Sequence, residues 1–158
     1  MKKILNPWKG KGIYTCFGCS DDNKFGLQME FFDDGAGLVC EWMPTKEYEG
    51  YINTLHGGIQ STIHDEIASW VVYVKGETAG MTTELNVKYL KSVLVDQGVI
   101  RVTGKIKEKN KRFIKIETKI FNNAGELCSE GDVIYRVFSQ KLAIEKMHYP
   151  GIEAFYSS

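Results

Sequence analysis

The chain has 158 residues with 20 basic and 20 acidic side chains, so its formal charge is zero. This length favours a single domain, and the balanced charge argues against a nucleic-acid-binding protein, which would show a basic excess. No apolar run is long enough to span a bilayer, and the opening MKKILNPWKG lacks the apolar stretch of a signal peptide. We therefore expect one cytoplasmic domain over residues 1–158, with no membrane or nucleic-acid partner.

The first 23 residues are rich in Gly, Lys and Asp and are predicted to form an irregular segment. They contain a C-x-x-C pair, Cys16 and Cys19, whereas Cys40 and Cys128 are scattered. A zinc site needs a second close pair or nearby histidines, and a redox pair opens a helix after a strand, but CFGCSDDNKFG is typical of a turn. We interpret the pair as loop cysteines and expect no metal or cofactor, with a metal or redox module as the alternative.

A β-hairpin is predicted next, followed by a helix. LQMEFF, Leu27–Phe32, alternates in part and meets the turn signal DDGAG, and GLVCEWMP, Gly37–Pro44, is typical of the second strand. The helix begins after a loop around Gly50 and ends near Lys75 and Gly76. The helix is predicted from apolar residues four positions apart, Ile59, Ile63, Ile67 and Val71, which form a stripe along one side. Ala68 and Trp70 widen this apolar stripe.

Four β-like runs follow the helix: MTTELNVKYL, GVIRVTGKIKEK, RFIKIETKIFN and CSEGDVIYRVFS. NNAGE and the basic KEKNKR are predicted turns between them. One helix covers only one face of a sheet, so we expect an α+β fold in which an antiparallel sheet of five to six strands curls round the helix. Residues 139–158 are predicted to be a C-terminal extension with a short helix in SQKLAIEKM, whose aromatic residues, Tyr149, Phe155 and Tyr156, pack onto the sheet.

The stretch NTLHGGIQSTIHDEIASW places a glycine pair before the helix and an acid inside it. A helix N-terminus presents unpaired N–H groups and a partial positive charge, and glycine lets another group approach that backbone. Gly57 can therefore hold an oxygen that becomes negative during a reaction, as a carbonyl oxygen does when water attacks it, and Asp65 is the candidate base or nucleophile. The two residues stand eight positions apart, about 12 Å along a helix axis. Two antiparallel copies would join them, which predicts a homodimer with shared sites.

Three stretches, CFGCSDDNKFGLQMEFF, HGGIQSTIHDE and MTTELNVKYLKSV, resemble in that order the hotdog-fold acyl-CoA thioesterases of the phenylacetate-pathway type. The resemblance runs from about Cys16 to Phe138, and H-G-G followed seven residues later by Asp is its most specific feature. It implies a hotdog fold and the hydrolysis of an acyl-CoA thioester to coenzyme A and a free acid, with no cofactor. It also implies sites shared across a dimer, often with two dimers joined as a tetramer.

The resemblance assigns roles to individual residues. Gly57 matches the position whose N–H polarises the carbonyl, Asp65 matches the catalytic carboxylate, and Thr82 matches a hydroxyl that orients the attacking water. His56 matches the motif histidine, which holds the loop or contacts the carbonyl. A further set of residues is expected to bind the substrate, and its lysine and arginine side chains are expected to contact the phosphates of coenzyme A. The predicted substrate-binding residues are Asn53, Gly58, His64, Thr83, Lys88, Lys91, Lys111 and Arg112.

Some positions leave alternatives open. His64 stands where relatives usually carry Leu, about 100° round the helix from Asp65, so it either faces the same cavity or packs elsewhere. Glu66 is interpreted as an ordinary helix glutamate paired with a lysine, and only one of Thr82 and Thr83 can face the site because side chains alternate across a strand. The alternative functions are a hotdog-fold enoyl-CoA hydratase or dehydratase, which His64 keeps open, and a non-catalytic acyl-CoA-binding protein. The sequence does not select the acyl group.

Overall fold

A seven-stranded antiparallel sheet curls round one long helix in the computed structural model, which describes residues 1–157. The strands are β1 (Lys2–Lys3), β2 (Phe32–Asp33), β3 (Leu38–Trp42), β4 (Gly80–Tyr89), β5 (Ile100–Lys109), β6 (Phe113–Phe121) and β7 (Leu127–Val137), in the spatial order β1-β2-β3-β5-β6-β7-β4. The helices are α1 (Gly57–Val74) and α2 (Gln140–Lys146), and 3₁₀ turns cover Lys46–Tyr48 and Ile152–Phe155. The predicted α+β order is confirmed. Within this part of the chain, no helix is both long and apolar enough to cross a membrane.

The predicted strand number of five to six is too low. β1 and β2 have two residues each, which is too short to leave an alternating pattern in the sequence, and β1 lies inside the segment that was expected to be irregular. The expected first strand, Leu27–Phe32, is wrong except for its last residue. The N–H of Leu27 donates instead to the carbonyl of Phe17, 2.7 Å away, so this stretch runs beside the N-terminal loop.

α1 packs closely against the concave face of the sheet. Ile63, Ile67 and Val71 are fully buried there, as the helical period predicts. The approach depends on Gly104 in β5, because a Cβ at that position would stand 3.2 Å from side-chain carbons of both Ile67 and Val71. A larger residue at this position would push α1 away from the sheet or force these side chains aside.

The opposite side of α1 is covered by the two ends of the chain. Trp70 stacks on Phe31 with ring centroids 4.8 Å apart, and Phe155 meets Trp70 edge-on at 5.8 Å. The Tyr149 hydroxyl donates to the carbonyl of Tyr73 at 2.9 Å. The expectation that Tyr149 and Phe155 pack onto the sheet is therefore wrong. The sheet covers only one side of α1, and these aromatic residues bury the apolar side that remains.

His64 is fully buried between α1 and strands β6 and β7. Its Nδ1 lies 2.7 Å from the Thr118 hydroxyl, and its Nε2 lies 2.8 Å from the Ser129 hydroxyl. Because Thr118 donates to the carbonyl of Gly131 at 3.3 Å, it accepts from Nδ1–H, and Nε2 accepts from Ser129. Gly131 also makes room, since a Cβ there would stand 3.1 Å from Nδ1. Burial lowers the pKa of His64 to about 4, so the ring is a neutral core residue.

We expect His64 to make the fold less stable as the pH falls from 7 to 5. The unfolded histidine takes up a proton with a pKa of about 6.5, whereas the pKa in the folded chain is about 4. The unfolded state therefore binds more protons in this range, and the share of His64 in the lost free energy of unfolding is about 2 kcal/mol. Urea unfolding at pH 7, 6 and 5 measures the loss.

The matched control is His64→Leu, which places an uncharged side chain at the same buried position. Its absolute stability differs from that of the wild type, because Thr118 and Ser129 lose their partner, so the quantity to compare is the slope of stability against pH. The variant should lose less stability than the wild type between pH 7 and 5. Parallel slopes for the two proteins would show that His64 is not the titrating group.

Candidate active site

The N-terminus of α1 combines a capped N–H with an open one. His56 is the N-cap residue, and its Nδ1 accepts the N–H of Gly58 at 2.8 Å. No hydrogen bond among residues 1–157 uses the N–H of Gly57. The helix dipole adds positive charge at this end, so the Gly57 N–H is available to an oxygen atom. His56 holds the loop, whereas the N–H of Gly58, a predicted substrate-binding residue, is already occupied.

Asp65 lies two turns further along α1, beside the end strand of the sheet. Its Oδ1 accepts hydrogen bonds from the hydroxyls of Thr82 at 2.8 Å and Tyr135 at 2.7 Å. Thr82 and Tyr135 are register partners on β4 and β7, so neighbouring strands present both donors side by side. No hydrogen bond within the described chain uses Oδ2. One carboxylate oxygen is thus held in place while the other is available to water or a substrate.

Tyr135 is the member of this site that the sequence analysis missed. Burial and the neighbouring Asp65 raise its pKa well above the usual range, so it remains a neutral donor to the carboxylate. In the sequence it is one aromatic residue in the apolar run DVIYRVF. Strand alternation places it on the inner face, but its contact with Asp65 depends on the pairing of β4 with β7, which the sequence does not specify.

β4 is an exposed edge strand that borders both halves of the candidate site. Residues 81–86 are all exposed, and Met81 retains 62% of its surface. At the far end of the strand, the Tyr89 hydroxyl donates to the carbonyl of Gly57 at 2.6 Å and lies 2.7 Å from the Ser61 hydroxyl. Thr82 therefore meets Asp65 near one end of β4, while Tyr89 meets the helix N-terminus at the other. An unpaired edge with exposed apolar side chains is a surface on which another strand can pair.

Three predicted substrate-binding residues do not join Asp65. His64 lies in the core, so its assignment to the substrate is wrong. Asn53 occupies a left-handed turn with φ of 55°, and its side-chain amide donates to Asp96 at 3.0 Å, which directs it to the loop. Thr83 donates to the carbonyl of Ile134 at 3.0 Å and borders a groove on the outer face of the sheet, at the point where the register between β4 and β7 shifts by one residue.

The predicted phosphate-binding side chains lie in three different places. Lys91 forms an ion pair with Glu126. Lys88 borders a groove on the outer face of the sheet whose charged lining is mainly acidic. Lys111 and Arg112 form the turn between β5 and β6, next to the C-terminal end of α1. Among these residues, only Lys88 and Lys91 flank Tyr89, whose hydroxyl donates to the carbonyl of Gly57.

A second cluster of ionisable groups lies on the side of α1 that faces away from the sheet. The Cys16 thiol donates to Glu66 Oε1 at 3.4 Å, and the Trp70 indole N–H donates to the same oxygen at 3.1 Å. Cys19 Sγ lies 3.2 Å from the Tyr14 hydroxyl. Burial raises the pKa of Glu66 to about 8. The interpretation of Glu66 as an ordinary helix glutamate paired with a lysine is wrong, because the N-terminal loop covers it and its partners are Cys16 and Trp70.

The chain is similar in sequence to known thioesterases. The family model for the thioesterase superfamily matches residues 52–129. Human acyl-coenzyme A thioesterase 13 is 24% identical over 96 residues, which are 60% of this chain and 68% of that protein. The mouse protein of the same name is 23% identical over 96 residues, with the same coverage of both chains.

Solved structures of thioesterase superfamily proteins align with this fold. One thioesterase superfamily protein aligns with a TM-score of 0.70 at 20% identity, covering 85% of this chain and 69% of its own. A hypothetical thioesterase from Streptococcus pneumoniae, crystallised with coenzyme A, aligns with a TM-score of 0.64 at 22% identity, covering 69% of this chain and 87% of its own. An aspartate-to-alanine and a threonine-to-alanine variant of that protein were also crystallised. The predicted hotdog fold is confirmed.

We expect His56→Ala to destabilise the fold by about 1 kcal/mol, because it removes the acceptor that caps α1. His56→Asn should restore most of the loss, since asparagine is among the best N-cap residues. Urea unfolding at pH 7 measures both variants against the wild type. Equal stability of the alanine variant and the wild type would mean that the contact between His56 and Gly58 does not stabilise the helix.

Proposed function

We propose, on the premise that this chain belongs to the thioesterase superfamily, that it hydrolyses acyl-coenzyme A thioesters to coenzyme A and a free carboxylic acid. The observation that carries the proposal is the Asp65 carboxylate, held at one oxygen by Thr82 and Tyr135 and available at the other. The name of the human relative and the coenzyme A in the streptococcal structure support this substrate class. Aspartate and threonine are also the residue types replaced in the crystallised streptococcal variants.

In the proposed mechanism Asp65 is the general base. Its Oδ2 takes a proton from a water molecule, the water oxygen forms a bond to the thioester carbon, and the carbon–sulfur bond then breaks. Coenzyme A leaves as a thiolate that takes up the proton held by Asp65, which regenerates the base. The carbonyl oxygen becomes negative during the attack and is stabilised by the open N–H of Gly57. Thr82 and Tyr135 hold the carboxylate in a fixed orientation.

The proposed active site is shared between two copies of the chain. Gly57 and Asp65 are eight residues apart on one straight helix, about 12 Å along its axis, so one carbonyl cannot reach both within a chain. Pairing of the exposed β4 edges would set two α1 helices antiparallel and bring Gly57 of one protomer beside Asp65 of the other. The exposed apolar residues of β4 support this interface. Association of two such dimers into a tetramer remains a prediction.

The same arrangement suggests where coenzyme A binds. In antiparallel helices, the C-terminal end of one α1 lies near the N-terminal end of the other. The basic turn of Lys111 and Arg112 accompanies that C-terminal end, so we propose that it contributes to binding the phosphates across the interface. Lys91 is paired with Glu126 in the single chain, which makes it a weaker choice.

The structure weakens the hydratase or dehydratase alternative. That alternative depended on an imidazole near the helix start beside Asp65, and His64 is instead buried with both ring nitrogens engaged by Thr118 and Ser129. A non-catalytic acyl-CoA binder would keep the same pocket without turnover. Release of free thiol from a panel of acyl-coenzyme A esters, followed with a thiol-reactive dye, separates the thioesterase from both alternatives and identifies the preferred acyl group.

We expect Asp65→Asn to lower kcat for thioester hydrolysis by about 10²-fold or more, because an amide cannot take the proton from water. Tyr135→Phe should lower kcat less, since it removes only one of two donors to the carboxylate. Asp132→Asn, which changes a carboxylate on the outer face of the sheet, is the matched control and should keep full activity. Near-normal turnover by Asp65→Asn, with circular dichroism showing an intact fold, would exclude Asp65 as the base.

The role of the Gly57 N–H can be tested with two substitutions that differ only in this donor. We expect Gly57→Pro to lower kcat by about 10²- to 10³-fold, because it removes the N–H proposed to stabilise the oxyanion. Proline is tolerated at the first helical position, and His56 has a ψ of 131°, which suits a residue before proline. Gly57→Ala keeps the N–H and meets Tyr89 at an ordinary 3.7 Å, so it should remain active. Equal activity of the two variants would contradict the assignment.

Co-expression of Gly57→Pro with Asp65→Asn extends this test to the shared site. In a mixed dimer with shared sites, one site carries both lesions and the other carries neither. Random pairing should therefore restore about a quarter of wild-type activity per chain, although each variant alone is inactive. If both halves of the site lie within one chain, co-expression restores nothing.

A further inference from the structure

The N-terminal loop brings two thiols and a carboxylate together on the side of α1 that faces away from the sheet. Cys16 Sγ lies 3.4 Å and 3.5 Å from the two oxygens of Glu66. The ligand atoms of Cys16, Cys19 and Glu66 all lie within 4.8 Å of one another. Their side chains come from a loop and from a helix about 50 residues apart in sequence, so the tertiary fold creates the cluster.

One separation in the cluster matches the value around a tetrahedral zinc ion. With zinc–sulfur bonds of about 2.3 Å and zinc–oxygen bonds of about 2.0 Å, a sulfur and an oxygen ligand stand about 3.5 Å apart, and two sulfur ligands about 3.8 Å apart. The observed distance of 3.4 Å between Cys16 Sγ and Glu66 Oε1 agrees with the first value. All three ligand atoms lie within 4.8 Å of one another, so side-chain rotations can bring the remaining separations to these values.

The loop between the two cysteines makes room for the carboxylate. Gly18 admits it, because a Cβ there would stand 2.3 Å from Glu66 Cδ. The C-F-G-C sequence thus supplies the space that Glu66 enters.

A carboxyl group in this position needs a partner. Glu66 is covered by the N-terminal loop and lies beside Trp70, and no ion pair within residues 1–157 includes it. A covered carboxyl group stays protonated, as the raised pKa of Glu66 indicates, unless a cation or a metal ion binds its ionised form. A disulfide between Cys16 and Cys19 would account for the thiols but would remove the thiol donor from the carboxyl group.

We propose that Cys16, Cys19 and Glu66 bind one Zn²⁺ ion that fastens the N-terminal loop to α1. Two thiolates are soft ligands that favour zinc over magnesium or calcium. The cluster offers three ligand atoms within the described chain, so a water molecule takes the fourth position. The ion sits on the residue that follows Asp65, on the other side of the helix, and its binding does not depend on the proposed thioesterase activity.

The test uses the full-length chain, purified under reducing conditions, stripped with a chelator and then titrated with Zn²⁺ or Mg²⁺. We expect one zinc ion per chain by mass spectrometry of the metal content, no retention of Mg²⁺, and a higher melting temperature with zinc. Co²⁺ in place of zinc should give a sulfur-to-metal charge-transfer absorption band. This band reports thiolate coordination in the wild-type protein without any substitution.

Substitutions then assign the ligands. Cys16→Ser and Cys19→Ser should each abolish the cobalt band or weaken it strongly, and Glu66→Gln should weaken zinc binding at least tenfold, by analogy with the loss of a metal-site contact. Cys128→Ser is the matched control, since Cys128 is a buried cysteine outside the cluster, and it should bind zinc like the wild type. If a serine variant fails to fold, the wild-type cobalt spectrum and Glu66→Gln still decide the question.

Several outcomes would overturn the proposal. The reduced wild-type chain retaining no zinc and giving no cobalt band would exclude a metal site. Zinc binding that is unchanged in Cys16→Ser and Glu66→Gln would place the ion elsewhere. A protein isolated without reductant that contains no metal, and whose mass is lower by two hydrogen atoms in the peptide spanning Cys16 and Cys19, would identify a disulfide pair instead.

Discussion

The burial of α1 on two opposite sides is the constraint on which the rest of this structure depends. On one side Gly104 lets Ile67 and Val71 approach the sheet closely, and on the other the aromatic residues from both chain ends pack around Trp70. Contacts on two opposite sides fix both the depth and the rotation of the helix. Each residue turns the helix by about 100°, so a small rotation would take Asp65 out of hydrogen-bonding distance of Thr82 and Tyr135. The position of the carboxylate is therefore a consequence of core packing.

Strand β4 connects the two ends of the candidate site. β4 supplies Thr82 to Asp65 and Tyr89 to the carbonyl of Gly57, and all of its residues except Gly80 and Val87 are exposed. A helix capped by His56 keeps one N–H open at Gly57, because the histidine side chain satisfies only the N–H of Gly58. The open donor, the held carboxylate and the unpaired strand edge are thus neighbouring parts of one surface. This is the physical basis for assigning them to one site across an interface.

Elements with a periodic apolar pattern could be predicted from the sequence, whereas elements that depend on contacts between distant residues could not. The helix and the four long strands after it have clear periods, and the turns contain Gly, Asn or Asp, so their positions followed from the sequence. The strands β1 and β2 are too short for a period, and Leu27 bonds to Phe17 through a loop that has no pattern. Within the site, Tyr135 could not be recognised because its contact with Asp65 requires the register between β4 and β7.

The sequence His64-Asp65-Glu66 shows why neighbouring ionisable residues cannot be assigned from their order alone. The helix directs the three side chains about 100° apart, and a different element covers each direction. His64 points into the sheet, where burial lowers its pKa to about 4, whereas burial under the N-terminal loop raises the pKa of Glu66 to about 8. Asp65 alone points to the exposed edge of β4, between two hydroxyl donors. The body of the helix separates the three environments, so the chemistry of each group depends on the residues that cover it. Only Asp65 lies where it could contact a substrate held at Gly57 of a second chain.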